Sequence, residues 1–451
     1  QLLPLVTPPT ALVEALPQFV GEDPVDIANV VKEYKDLLEG DRSMLVHVIG
    51  SLYDLPLGAD TRQEVSTMTL EALSVVDEDD VPVVVRTLFK TARERDSAMV
   101  VSRVRAECTG LGMTALAVLV DVLADTFSIN ESVAKTFLAQ VSASVASPAA
   151  GESRSFIPSS VAAAAGDQGE QGEEVDPLST LDVVGFLLLL PHRRHVAAVH
   201  NLLDIFSRRP ERLPTDKIVS LAEMSGNSPW TCVASPIREL GLWAAMASPP
   251  LSRARGSSNA SPGPNNSVGG GGNTTTTTNG SGGGDIDSYS RSSSTSSLAS
   301  LRRAGSRILL AVFRGQPNAR APIVSCCLGV VGTHRLPSRG GRGGAGARPR
   351  AGERYMAADA LLGTCLGALD LLLDLSENCP DLMSPYANTV GDLVLGGGGR
   401  TLHPRLLDKA ARCLAVLTRQ SNGIGMVNEL MNHVQKQVFF LGAGSDGGGG
   451  G

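Results

Sequence analysis

The sequence predicts an all-α fold: an irregular solenoid of antiparallel helix pairs, HEAT-like or armadillo-like, carrying long disordered insertions. Three observations predict it. Ala, Leu and Val dominate the apolar 42% of the 451 residues while aromatics make up only 4%, a mix that favours helices over sheets. Apolar residues recur at i, i+3, i+4 and i+7 along most of the chain. Short joints separate these stripes and no strand-rich stretch interrupts them, as in stacked helix pairs. No fixed repeat period is visible, so the expectation rests on helix length and connection.

The elements follow in order. From Asp23 to about Val145 the chain reads as helix after helix, and residues 1–145 are assigned to an N-terminal helical solenoid. Ile27, Val30, Val31, Tyr34 and Leu38 form one stripe, closed by Gly40. Asp41 opens a second helix with Met44, Leu45, Val48, Ile49 and Leu52. Val65, Met68, Ala72 and Val76 mark a third. In "DEDDVPVVVRTLF", Asp77 to Phe89, Asp80 is the expected N-cap, the acids before it suit the positive end of a helix dipole, and Pro82 falls where a missing N–H costs nothing. Consecutive acids point in different directions and no calcium-type loop follows, so the cluster reads as a helix start and not a metal site. Val100, Val104 and Cys108 continue the pattern. Met113 to Phe127 is apolar nearly all round, which predicts a central, buried helix. Ser128 and Glu131 have capping-box spacing ahead of Val133, Phe137 and Val141.

Residues 146–178 are rich in Ala, Gly, Ser and Glu and read as a disordered insertion. Helical repeats resume over 179–247, with "LDVVGFLLLL" ended by Pro191, then Val196, Val199, Leu203 and Phe206 on one face, then Ile218 to Met224. Residues 248–298 are a low-complexity linker of Ser, Asn, Thr and Gly runs. A short helical segment over 299–334 and a Gly/Arg-rich linker over 335–354 precede C-terminal helical repeats over 355–440. There Leu362, Leu366, Leu369 and Leu373 line one face, Pro380 ends the helix, and Leu406 to Leu417 and Met426 to Phe440 supply two more helices. A glycine tail occupies 441–451. The chain begins at Gln1 and ends in that tail, which predicts a fragment or a partial gene product.

A net charge of −7 argues against a chain that is basic throughout, so any nucleic-acid contact must come from local patches or a partner. Seven cysteines lie mostly in helical patterns, none in a C-x-x-C, which fits a reducing compartment and leaves structural zinc without its usual spacing. No signal peptide is visible, and the longest apolar run is far short of a bilayer span. No membrane association and no cofactor are expected.

Four constellations invite a chemical reading. "GTCLG", Gly363 to Gly367, has the form of a nucleophile elbow with cysteine in place of serine, but the elbow needs a strand before it; Cys365 reads as a small buried helix residue. "HRRH", His192 to His195, puts two histidines three apart without a third ligand nearby, and reads as a solvated polar turn. The glycine runs at Gly269 and Gly396 lack the elements of a phosphate loop and read as linkers. Arg335, Arg339, Arg342, Arg348, Arg350 and Arg354, interleaved with glycine, form one basic tract that suits phosphate backbones without sequence preference, or simply a solvated linker. The serine tract "SYSRSSSTSSLASLRRAGS" is accessible to kinases.

Several ordered segments resemble a known family. "DIANVVKEYKDLLEGDRSMLVHVIGSLYDLPLGADTRQEVSTMTLEALSVVDEDDVPVVVRTLFKTA" resembles the N-terminal solenoid of the Fanconi anaemia group D-two family, and "LAVLVDVLADTFSINESVAKTFLAQV" its next helical pair. "ALDLLLDLSENCP" through "RLLDKAARCLAVLTRQSN" to "MNHVQKQVFF" resembles a later one. The likeness covers about half of the chain in the same order; the paralogous group I family is the nearest competitor. It implies a nuclear, non-enzymatic scaffold of DNA interstrand crosslink repair. Such a scaffold pairs with the group I paralogue, closes around duplex DNA and is locked there by one ubiquitin on a lysine. The acceptor position falls on Arg419 of "VLTRQS", where a guanidinium that stays protonated is a poor nucleophile. Lys409 lies well before that turn and Lys436 well after it, so ubiquitin attachment is uncertain in this chain. The serine-glutamine and threonine-glutamine sites favoured by the family's damage kinases are absent. Two other classes stand beside this reading: a generic armadillo-like or HEAT-like adaptor whose groove takes peptides, and, as the outsider, an enzyme using Cys365.

Overall fold

A computed structural model describes residues 9–147, 178–248, 287–333, 351–394 and 403–420. Every regular element among the described residues is an α- or 3-10 helix, so the fold is all-α, as composition and periodicity predict. The chain divides into two compact units: Gln1–Leu242 with Arg307–Arg320, and Trp243–Ser306 with Ala321–Gly451.

The first unit holds α1 (Pro9–Ala15), α2 (Pro24–Gly40), α3 (Leu45–Asp54), α4 (Ala59–Ala72), α5 (Val81–Thr91) and α6 (Ser97–Glu107). It continues with α7 (Met113–Ile129), α8 (Glu131–Ala146), α9 (Thr180–Leu189), α10 (Val196–Arg208), α11 (Thr215–Met224) and most of α12 (Thr231–Ala245). Packing runs in two rows. α1 lies on α3, α3 on α5, α5 on α7, α7 on α9 and α9 on α11; α2 lies on α4, α6 on α8 and α8 on α10. Most of these helices thus stack on the one two before them, the neighbour order that successive helix pairs of a repeat fold produce, although α6 does not lie on α4, which packs chiefly on α5.

Local chemistry sets the starts. Asp23 accepts a hydrogen bond from the Val25 amide at 2.9 Å and Pro24 opens α2. Asp41 accepts from the Ser43 amide at 2.9 Å and its hydroxyl at 2.7 Å, closing a 3-10 turn ahead of α3. Those bonds hold the Asp41 carboxyl below its ordinary pKa, the hydroxyl contributing most. Ile27, Val31 and Tyr34 of α2 meet Val48 and Leu52 of α3 and Val13 of α1 in one core. The Tyr34 and Ser51 hydroxyls both donate to the Val13 carbonyl, at 2.8 and 2.9 Å. Burial pushes the Tyr34 phenol up to about 12.

Three expectations for this unit need correction. Asp80 does precede α5, but its carboxylate makes no capping bond; a 3-10 turn, Glu78–Asp80, leads in, and Glu78 instead accepts from the Gly112 amide. Asn130 caps α8 by accepting from the Val133 amide at 3.2 Å, while the Ser128 hydroxyl turns back to the Asp125 carbonyl, because α7 runs on through Ile129 and leaves Ser128 inside it. α7 is not buried all round either: Met113 and Val118 are exposed, and Ala115, Leu116, Leu119, Val120, Leu123 and Phe127 form a one-sided buried face. The helix buried on every side is α9, where each residue from Leu181 to Leu189 is inside. It is held closely because Gly185 faces the Phe137 ring of α8, where a Cβ would collide.

No single helix among the described residues is long and apolar enough to cross a membrane. α7 and α8 together have the length and composition, but they are bent by 114° at their junction.

The second unit takes the last residues of α12, residues of α13 (Asp287–Gly315) up to Ser306, residues of α14 (Pro317–Thr333) from Ala321, and α15 (Ala351–Asn378). α16 (Pro380–Met383), α17 (Ala387–Val394) and α18 (Pro404–Gln420) complete it, with α18 packed along α15 and touched by α16 and α17. α13 starts at Asp287, inside the stretch that composition assigns to linker. From Asp287 to Ala304 there is neither glycine nor proline, and serine alone opposes a helix only weakly. α15 likewise starts at Ala351, inside the Gly/Arg-rich span, once alanine, glutamate and methionine replace glycine. The expected leucine stripe of α15 is displaced. Leu362, Leu366 and Leu373 are half-buried, while Cys365, Ala368, Leu369, Leu372, Leu375 and Ser376 form the inner face. Small residues draw that face inward: a Cβ at Gly367 or Gly305 would strike the backbone at the end of α12.

Candidate functional site

Arg419 is exposed in the last turn of α18. Its helix buries Leu406, Ala410, Cys413, Leu414 and Leu417 against the second unit and leaves Arg405, Arg412 and Arg419 on the outside at intervals of seven residues. Seven residues are nearly two turns, so the three guanidinium groups share one face over about 21 Å of helix. Arg412 pairs with Asp408 at 3.1 Å; Arg405 and Arg419 have no ion-pair partner among the described residues. Such a spaced row can meet phosphates along a nucleic-acid backbone. Periodicity in the sequence contains this row, but glycine-flanked arginines stand out more. Those residues, Arg335, Arg339, Arg342, Arg348, Arg350 and Arg354 among them, lie outside the described residues except Arg354, of which only its place in α15 is described.

Lys409 is half-buried and ion-paired to Asp370 of α15, which withdraws its amine from reaction. Lys436 and the expected helix from Met426 to Phe440 lie outside the described residues, as do the 146–178 insertion apart from its edges, the glycine runs and the glycine tail.

Cys365 sits in mid-helix, buried, its thiol donating to the Val330 carbonyl at 3.4 Å. Burial raises its pKa, as it does for Cys413 and for Cys108, which is pushed up to about 12. A thiol that resists ionisation is a poor nucleophile, and no strand precedes it. Among the described residues no group of three or more His, Cys, Asp or Glu is arranged to hold a metal ion.

The "HRRH" turn departs from the solvated reading. Arg193 and Arg194 are exposed in a 3-10 turn before α10, but His195 is only 4% exposed. Its ring lies 6.4 Å from that of His192, and both line an open cleft of about 490 Å³ whose other wall is Phe127, Ser128 and Glu131 at the α7–α8 corner. Burial, then the neighbouring His192 charge, lowers the His195 pKa; Glu131 opposes them.

A second cleft in the same unit, about 480 Å³, surrounds a buried ion pair that sequence reasoning missed. Arg105 of α6 donates from Nε and Nη2 to the two carboxylate oxygens of Asp182 at 2.6 and 3.0 Å, and from Nη2 to the Ser144 hydroxyl at 3.0 Å. Asp182 also completes a capping box with Ser179, accepting from the Ser179 amide at 3.1 Å while the Ser179 hydroxyl accepts from the Asp182 amide at 3.1 Å. The capping-box spacing was legible; the partner 77 residues away was not. In the second unit Arg302 was missed for the same reason. Its guanidinium donates to the carbonyls of Ala247 and Gly363 at 2.9 and 2.7 Å, tying the end of α12 to α15.

Compared with protein-family models and with curated proteins, the chain matches none.

Proposed function

We propose that this protein is a non-enzymatic scaffold of DNA interstrand crosslink repair, acting in the nucleus through its helical surface as a partner of a group I paralogue. The observation that carries the proposal is the ordered resemblance of its segments to the group D-two family, over residues that fall in α2–α5, α7–α8 and α15–α18, with the last segment, 431–440, outside the described residues. The two stacked rows of helices in the first unit are compatible with a surface that holds a partner, and the arginine row of α18 with a surface that approaches duplex DNA. The mid-helix position of Cys365 favours binding over catalysis as the mode of action.

Arg419, where the family's ubiquitin acceptor falls, and the tethered Lys409 favour a scaffold that is not locked at this turn by ubiquitin. The test is co-purification with a group I homologue followed by binding to duplex DNA. Duplex binding that appears only with the paralogue present is expected, and weakens when Arg405 and Arg419 are changed to glutamine. Capture of unrelated partners alone would remove the repair reading. Peptide capture by the isolated chain would favour the alternative, a generic helical-repeat adaptor.

A further inference from the structure

The turn from His192 to His195 breaks an electrostatic rule. The amino end of a helix carries the positive end of its dipole and suits acids, yet two histidines and two arginines crowd the start of the 13-residue α10 and none of the adjoining side chains caps it. Glu131 faces this cluster across the cleft, but its carboxylate is held by Lys135 at 2.8 Å. Ser128, on the same wall, has committed its hydroxyl to the Asp125 carbonyl at 2.7 Å.

A second observation is independent of the dipole. His195 is 4% exposed, lines the cleft, and its ring makes no hydrogen bond among the described residues. Its ring nitrogens are not sealed off like the Arg93 Nη2 atom, which is buried without a partner, but open to the cleft, where they can donate to whatever enters it. The cleft is also flanked in sequence by two large apolar residues left in water, Ile129, 81% exposed, and Val196, 47% exposed.

We propose that this cleft receives a phosphate monoester, the phosphorylated serine or threonine of a partner protein, with Arg193 and Arg194 gripping its oxygens and His195 donating from within. An anion answers the uncompensated cations, and guanidinium forks match phosphate oxygens. The cleft's volume has room for the side chain that bears the phosphate. Confinement of the cations to one turn, beside Ile129 and Val196, suits a peptide with apolar neighbours better than a duplex, which presents phosphates in a long row. The charged groups facing His195 are His192 and Arg194 on its own turn and Glu131 and Lys135 on α8. A bound dianion adds negative charge to that set and favours the protonated, donating ring.

The test presents the full chain with a peptide library carrying a central phosphoserine or phosphothreonine between variable residues, and with the same library unphosphorylated. The expected result is selection of phosphopeptides with apolar flanks, bound about tenfold or more tighter than their unphosphorylated forms. The double variant Arg193→Gln/Arg194→Gln, and separately His195→Asn, should lose that preference with the thermal midpoint of the double variant unchanged. Equal binding of both libraries, or phosphopeptide binding that survives the double variant, overturns the proposal. So does inorganic phosphate binding with no peptide preference, or a short DNA duplex that binds through the two arginines while phosphopeptides do not. No arm contains a group I homologue, so the repair reading stands or falls separately.

Discussion

Arg105 and His195 are both basic side chains drawn into the first unit, and they differ in what they meet there. Arg105 finds two carboxylate oxygens and a serine hydroxyl, so its charge is consumed in joining α6 to α9 and α8. His195 is more hidden still, yet meets other basic groups and an acid already held by lysine. Burial with partners fastens a fold; burial without them leaves a capacity to bind.

The largest effect that sharpens this contrast belongs to Asp182→Ala. It strands the Arg105 guanidinium in a site where its side chain is 17% exposed, and the expected loss of stability is about 3–5 kcal/mol, read by urea denaturation. A loss under about 1 kcal/mol would place the pair with surface ion pairs and break the comparison.

A smaller effect comes from protons. The folded state holds the His195 pKa below its ordinary value, so the unfolded chain takes up a proton first as pH falls. The stability this group contributes at neutral pH is therefore lost as pH drops through the ordinary histidine range toward the lower folded pKa. Melting scans between pH 7.5 and pH 5 should show a steeper decline in the native chain than in His195→Asn. An identical pH slope in the two would mean that the ring is not isolated as described.

The smallest effect is expected for Arg193→Gln/Arg194→Gln, which should leave stability within about 0.5 kcal/mol, or raise it slightly by removing cations from the positive end of α10. A large loss in the same denaturation experiment would mean that the turn is a structural joint after all.

Sequence alone carried the helices well, because the apolar period is local, and the caps less well, since Asp80 and Ser128 cap nothing. Gly40 at the end of α2 and Pro82 in the first turn of α5 stand where they were expected. It carried faces less well. Gly367 and Ala368 turn the inner face of α15 away from Leu362, Leu366 and Leu373, since close backbone approach rewards small residues that a search for large apolar ones passes over. α7 and α9 exchanged roles for a related reason: composition says how apolar a helix is, and its neighbours decide how many sides are covered. The candidate sites were legible only as residue types. "HRRH" stood out in the sequence, but that His195 is hidden from water depends on α7 and α8, more than fifty residues earlier. The Arg105–Asp182 pair had no local signal at all.

The contact that ties α12 to α15 has a consequence for how the second unit responds to its surroundings. Burial draws the Arg302 guanidinium down from its ordinary pKa, but an arginine in a protein keeps its charge at any pH a cell or a buffer reaches. Its acceptors are carbonyl dipoles, not ions, so added salt screens them little. Acid and ionic strength act on exposed couples such as Arg307 and Asp216, which lie 2.6 Å apart in water. They act on Arg302 only through the nearby Asp370 charge, so this fastening yields chiefly to heat or denaturant.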